Sequence, residues 1–324
     1  MKLQFDSQQE FQLSAIQAVV DVFEGQPLRQ GDFEISFGIE GASIALTEQG
    51  VGNRLVLSEE QLLENIRAVQ QSYNETLPKE QQTSNGIPLS GQLERCHYLK
   101  DEASEQSDFI PLNLTVEMET GTGKSYTYLR TIFELNRVYG FKKFVVVVPS
   151  VAIREGAIKN MEITEEHFRE LYGNPPFNYM MYDSGKLAAL RNFAVSDAIQ
   201  VLVINIDSFT KDSNIINTVR ETGVKPIEYI QATNPFVIVD EPQNMETDIR
   251  KAAIHNLNPL CTLRYSATHR NLYNLVYSLN PVQAYDLGLV KQIEVDGITS
   301  DNNYNAAFIH FKGAQAGKKT LKAK

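Results

Sequence analysis

The chain has 324 residues, 42% of them hydrophobic, with a formal net charge of −10 and a pI near 5.1. That is apolar material for one large or two small domains, and the acidity argues against a surface that grips polyanions everywhere, so any nucleic-acid contact should be local. The N-terminus Met-Lys-Leu-Gln-Phe-Asp lacks an apolar core segment, and no apolar stretch approaches the roughly 18 residues of a membrane span, so neither a signal peptide nor a membrane helix is expected.

Ser7-Gln-Gln-Glu10 reads as a capping box, followed by Leu13, Ile16, Val20 and Phe23 at helical spacing until Gly25 and Pro27 end the segment. Phe33 to Leu57 alternates apolar and polar residues around glycines, which predicts a small antiparallel excursion of two or three strands. Ser58-Glu-Glu-Gln61 caps a second helix with Leu62, Ile66, Val69 and Tyr73 on one face. From Thr76 to Asp108 the chain turns polar and is broken by Pro78, Gly86, Pro88 and Gly91, as a long loop or insertion would be.

The run Thr115-Val-Glu-Met-Glu-Thr-Gly-Thr-Gly-Lys-Ser125 is a buried strand breaking into a glycine loop that opens the helix Tyr126–Tyr139. Strands follow near Phe144–Val148, Tyr179–Tyr182, Ile199–Ile206, Phe236–Val239 and Cys261–Tyr265, and another begins at Val290-Lys-Gln-Ile-Glu-Val-Asp296. Near-continuous β-branched runs belong to strands covered on both faces, so the fold expected is α/β, a mainly parallel sheet sandwiched by helices, with a small β-rich or loop insertion before the glycine loop. The stretch from Asp301 to Lys324 is apolar only at Phe308–Phe311 and is expected to be poorly anchored.

Gly121 and Gly123 can adopt positive φ, so that with Thr120 and Thr122 the loop turns its N–H groups inward around a polyphosphate at a helix N-terminus. Lys124 would reach the β/γ-phosphates and Ser125 a Mg²⁺ ion. The full pattern has glycine where this chain has Met118, which matches the helicase-like variant of the motif. Phe236-Val-Ile-Val-Asp240-Glu241-Pro-Gln243 places two carboxylates at the end of a buried strand, one suited to hold Mg²⁺ through water and one to activate a water against the γ-phosphate. Arg264-Tyr-Ser266-Ala-Thr268 follows the next strand, where small hydroxyls can bond to those carboxylates. The five histidines show no ligand spacing, and Cys96 and Cys261 lack the spacing of a zinc site or disulfide framework, which fits a reducing cytoplasm.

In this order the three motifs resemble motifs I, II and III of the superfamily 2 helicases and translocases, and more closely those of the restriction (Res) subunit of type III restriction-modification enzymes. The closer resemblance rests on Val116-Glu-Met-Glu-Thr-Gly-Thr-Gly-Lys-Ser-Tyr-Thr-Tyr-Leu-Arg-Thr131, Val146-Val-Val-Pro-Ser-Val-Ala-Ile-Arg-Glu-Gly156, Asp240-Glu-Pro-Gln243 and Tyr265-Ser-Ala-Thr268, and extends from the first helix to about Val295. It implies a RecA-like P-loop ATPase lobe acting on DNA beside a partner methyltransferase that supplies the recognition site. Carried over by position, Lys124 and Ser125 bind phosphate and Mg²⁺, Asp240 and Glu241 form the hydrolytic pair, and Gln243, Ser266 and Thr268 couple hydrolysis to DNA. Gln17 is placed like the glutamine that reads the adenine edge, a solvated helix glutamine being the alternative. Pro149, Ser150 and Arg154 resemble the motif that holds DNA phosphates, and Asn205-Ile-Asp-Ser208-Phe-Thr210 is a second candidate strand-grasping loop.

The expected division is residues 1–110 as an N-terminal helix and insertion packing on the lobe, 111–295 as the ATP-binding lobe, and 296–324 as the start of a connection or a tail. The family's second lobe, with its arginine finger, and its nuclease domain are not recognised in the chain, which therefore reads as a first motor lobe. Two other readings stay open: the first lobe of another superfamily 2 DNA or RNA helicase, and a nucleotide-dependent interaction module without turnover of its own.

Overall fold

A computed structural model describes residues 5–28, 31–37, 46–94, 96, 112–220, 223–291, 314–316 and 321–323. The chain divides into two compact units, Met1–Val290 and Lys291–Lys324. At the heart of the first is a parallel sheet of seven strands: β3 (Leu112–Met118), β4 (Lys143–Val148), β5 (Phe177–Met181), β6 (Ile199–Asn205), β7 (Phe236–Asp240), β8 (Cys261–Ser266) and β9 (Leu275–Leu279). Their spatial order is β5-β6-β4-β7-β8-β3-β9. This is the mainly parallel, helix-covered α/β sheet expected from the sequence.

Strand alternation sorts the core into two layers. Phe144, Val146 and Val148 of β4 face the helices α1 (Glu10–Asp21), α2 (Glu59–Thr76), α4 (Lys124–Tyr139) and α5 (Val151–Leu171), together with Ile16, Phe133 and Phe168. Val145 and Val147 face the opposite layer, built on α6 (Ala188–Val195), α7 (Pro226–Gln231) and α8 (Asp248–Asn256) through Phe193, Ile230 and Ile254. Because both faces are covered, every residue of β4 and β6 is buried, which is why those strands read as nearly continuous apolar runs.

Antiparallel β1 (Gly31–Phe37) and β2 (Leu46–Gly52) form the anticipated excursion. Ser58 caps α2 in a full capping box, whereas the box expected at Ser7 does not form: α1 starts after Gln9, and the Ser7 carbonyl instead accepts from Arg130 Nη1 at 2.6 Å. Helix α1 and α2 share their apolar faces with the layer that holds α4, so no separate core sets the N-terminal region apart. Among the described residues of the polar stretch after α2 there is one short helix, α3 (Gln82–Asn85), and α9 (Pro281–Asp286) follows β9. The strand expected over Val290–Asp296 falls almost entirely outside the described residues. In the second unit β10 (Ala314–Ala316) pairs antiparallel with β11 (Leu321–Ala323).

Candidate nucleotide-binding site

Strand register gathers the three motifs. Glu117 of β3 lies opposite Ser266 of β8, and Asp240 of β7 lies opposite Tyr265 of β8, so the loops leaving β3, β7 and β8 meet at the C-terminal edge of the sheet. In open parallel sheets that edge is where ligands bind.

The glycine loop starts from a backbone bond, Glu119 N–H to the Leu279 carbonyl at 3.0 Å, and folds on itself through Thr122 Oγ1 donating to the Glu119 carbonyl at 2.6 Å. Gly121 and Gly123 sit at φ +85° and +88°, a region that penalises any side chain, and Gly123 is the residue from which α4 springs. Lys124 and Ser125 occupy the first turn of that helix. Together with Gly121, Gly123 and Tyr126 they line an open cavity of about 390 Å³ that reaches Phe5, Asn160 and Thr164. Thr120 is exposed beside it, its N–H bonded to the Glu119 carboxylate.

Lys124 Nζ lies 3.5 Å from Glu241 Oε1. Glu241 has left-handed backbone, φ 58° and ψ 57°, a conformation that costs a non-glycine residue about 1 kcal/mol or more and turns the side chain back over the strand ends. Its Oε2 accepts from Gln243 Nε2 at 2.6 Å and from the Ser266 hydroxyl at 3.1 Å; the Ser266 oxygen also stands 2.8 Å from Gln243 Oε1 and accepts from Thr268 N–H at 3.0 Å. Lys124, Glu241, Gln243, Ser266 and Thr268 thus form one polar network. Asp240, 7% exposed, adjoins it and feels the charges of Glu241 and Lys124. Burial first and the Glu241 charge second push its carboxyl up to about 6, with Lys124 pulling the other way.

Of the two glutamines on α1, it is not Gln17, expected at the adenine edge, but Gln12 that touches the glycine loop. Gln17 is exposed and donates to Asp21 Oδ1 one helical turn on, in a groove lined by α1, α2 and α9. Gln12, 9% exposed, instead donates its amide to the Thr122 carbonyl at 3.0 Å, and a Cβ on Gly123 would stand 2.5 Å from its Nε2. Residue 12 lies on the buried stripe with Ala15, Ile16 and Val19, facing the loop; residue 17 does not.

Pro149, Ser150 and Arg154 follow β4, and Ser208 closes a single 3₁₀ turn after β6. Val148 pairs with Asn205, so these loops are neighbours on the same edge. Ser150 caps α5 by accepting from Ile153 N–H, and Asn205 caps the turn by accepting from Asp207 N–H. Arg154 bonds Glu155 through Nη2 at 3.2 Å, while its Nε is buried without a hydrogen-bond partner. Among the described residues no group of three or more His, Cys, Asp or Glu side chains converges as metal ligands, and no helix is long and apolar enough to cross a membrane. Cys96 and Cys261 are buried free thiols.

Residues 65–271 match the family described as type III restriction enzyme, res subunit. The chain is 33% identical over 263 residues to the Res subunit of the type III restriction-modification enzyme EcoP15I from Escherichia coli, covering 74% of this chain and 24% of that protein. It is 30% identical over 313 residues to the EcoPI Res subunit of Escherichia phage P1, covering 89% and 28%. The chain therefore spans about a quarter of the length of the curated relatives it matches. Among solved structures, the UvsW helicase of bacteriophage T4 is similar at 14% identity and a TM-score of 0.32, over 52% of this chain and 54% of that one.

Proposed function

Because the chain belongs to the type III restriction enzyme Res-subunit family, we propose that its first unit is an ATP-binding and ATP-hydrolysing motor lobe of a cytoplasmic DNA translocase, acting with the modification subunit of the same restriction system. The observation that carries this reading is the joining of Lys124, Glu241 and Ser266 in one network across three strand ends.

The chemistry follows from what each group offers. Backbone N–H groups of the loop from Thr120 to Gly123 and the N-terminus of α4 attract polyphosphate oxygens, and Lys124 adds the charge that pairs with the β/γ-phosphates. Two neighbouring acids, one raised by burial first and by the other's charge second, make a donor set whose repulsion a divalent cation relieves; Asp240 and the Ser125 hydroxyl would hold Mg²⁺, which supplies charge neutralisation on the phosphates when bound. Glu241, less buried and steered by Gln243 and Ser266, is the group to take the proton of the attacking water. Gln12 reaches the loop from α1 and is the candidate to read adenine. Ser266 and Thr268 report the state of Glu241 to the rest of the lobe. Pro149, Ser150, Arg154 and Ser208 form the strand-holding edge, local in extent as an acidic chain requires.

The test is ATP hydrolysis by the full-length subunit assembled with its modification partner, with and without duplex DNA, beside Lys124→Ala and Glu241→Gln. DNA-stimulated turnover lost in both variants is the expected result. Turnover retained in both would remove the site.

A further inference from the structure

We propose that Glu246 is a positioning residue that ties the Glu241 loop to the segment following β8, with Asn271 as its movable contact. The inference rests on the motor reading above.

Glu246 lies on the loop that follows Asp240 and carries Glu241 and Gln243, yet its partners are on β8 and the segment after it. Its carboxylate is divided among three partners. Oε1 accepts from Arg264 Nη1 at 2.5 Å; Oε2 accepts from Asn271 Nδ2 at 2.8 Å and from the Tyr273 hydroxyl at 3.4 Å. The side chains of the ion pair are 1% exposed at Arg264 and 5% at Glu246, so the bond is little screened by water.

The two ends differ in stiffness. Arg264 sits in β8 between β7 and β3, donates from Nε to Asn113 Oδ1 at 2.9 Å, and lays its guanidinium 4.7 Å from the centre of the Tyr273 ring. Tyr273 is itself locked to β3, its N–H donating to Thr115 Oγ1 and its carbonyl accepting from the same hydroxyl. Asn271, by contrast, is exposed in the loop between Thr268 and Tyr273. One carboxylate oxygen is anchored to the sheet, while the other, besides its longer contact with Tyr273, holds Asn271 in a loop whose other tie, to β3, is His269 Nε2, 3.4 Å from the Val116 carbonyl.

The stretch from Ser266 to Asn271 is therefore gripped twice by the same loop. Ser266 is held at one end by Glu241 and Gln243, and Asn271 at the other by Glu246. A shift of the Glu241 loop as the charge beside it changes during hydrolysis must move that stretch as a unit or break one grip. With only the Ser266 grip and the long His269 contact to Val116, the Asn271 end of the stretch could pivot and the shift would be dissipated. Arg264 neutralises Glu246, so the device changes little at the phosphates, and nucleotide affinity should not depend on it.

Asn271→Ala and Glu246→Gln separate this role from a structural one. The first removes an exposed contact and leaves the buried ion pair intact. The second keeps an acceptor for Arg264 but turns an amide N–H₂ toward that of Asn271. In the full-length subunit assembled with its modification partner, both variants should lower the DNA-stimulated kcat about three- to thirtyfold, while the DNA-free rate and the KM values for ATP and DNA stay within about twofold. Unchanged DNA stimulation in Asn271→Ala would overturn the proposal, as would an equal fall of the DNA-free and DNA-stimulated rates. A parent enzyme showing no DNA-stimulated turnover at all would sink the motor reading on which it stands.

Discussion

Lys124 at the start of α4 and Glu241 at the end of β7 face each other at 3.5 Å across the end of β8, so the cation of the cradle and the carboxylate beside it partly neutralise one another. A triphosphate entering the loop must draw Lys124 toward itself and away from Glu241. Lys124→Ala removes the only side-chain charge among the cradle residues named above, where the remaining attraction comes from backbone dipoles. A hydrogen bond to a charged group contributes about 1.5–3 kcal/mol, so Mg·ATP affinity should fall about 10- to 150-fold. Calorimetric titration measures it, and equal affinity in parent and variant would dissolve the cradle assignment.

Glu241→Gln should act in the opposite sense on binding. Freeing Lys124 from its ion pair and removing a negative charge near the γ-phosphate strengthens nucleotide binding, whereas the amide cannot accept the proton of the attacking water. Turnover in the full-length assembly should drop by about 10²–10⁴, the usual contribution of a general base, with ATP bound at least as tightly as in the parent. Parallel losses of affinity and rate would place Glu241 in binding alone.

Asp240 makes stability depend on pH in a direction that can be worked out. Its folded carboxyl titrates at about 6, above the ordinary 3.8, so the folded protein holds this proton more tightly than the unfolded chain. The resulting stabilisation is complete below about pH 4 and is lost as pH rises through about 6. Asp240→Asn removes the titration. Without nucleotide the variant should melt above the parent at pH 8, and the gap should narrow as pH falls toward 4.5. Mg·ATP affinity of the parent should weaken below about pH 6, where the proton competes for the carboxylate. Scanning calorimetry across that range reads the first effect, and a pH-independent gap between the two proteins would count against the buried, proton-binding carboxyl.

The readability of these residues from sequence follows from how locally each is determined. The glycine loop, Asp240-Glu241 and Ser266 each stand at the end of a largely buried strand, and the local run of residues announces where such a strand ends. Gln12 is different, since its place depends on the rotation of α1 against α4. A signal was nonetheless present: Gln12 interrupts the stripe continued by Ala15, Ile16 and Val19, and a polar residue on a buried stripe calls for a partner. Strand β9 escaped notice because Leu-Val-Tyr-Ser-Leu is short and its place beside β3 is a long-range pairing. Glu246 escaped for the same reason: its partners Arg264, Asn271 and Tyr273 are brought to it only by the sheet.

The contact between Gln12 and the glycine loop yields a test of both. If the amide also pairs with adenine N6 and N7, which guanine answers with a carbonyl at the N6 position, Gln12→Ala should lose the preference for ATP over GTP, while Gln17→Ala, bonded only to Asp21 on the surface, should keep it. The glycines sharpen the argument. Gly121→Ala and Gly123→Ala each force alanine into left-handed backbone, at a cost of about 1–2 kcal/mol, but only at Gly123 would the new methyl strike Gln12 Nε2, whereas nothing lies within 4 Å at Gly121. Gly123→Ala should therefore destabilise the lobe more than Gly121→Ala, and combining it with Gln12→Ala should recover the excess, since the clashing atom is gone. A double-mutant cycle by denaturant unfolding measures that coupling for Gln12 with Gly123 and, as a control, with Gly121. Additive effects in both cycles would mean that Gln12 does not press on the loop, and its claim to the adenine edge would fall with the contact.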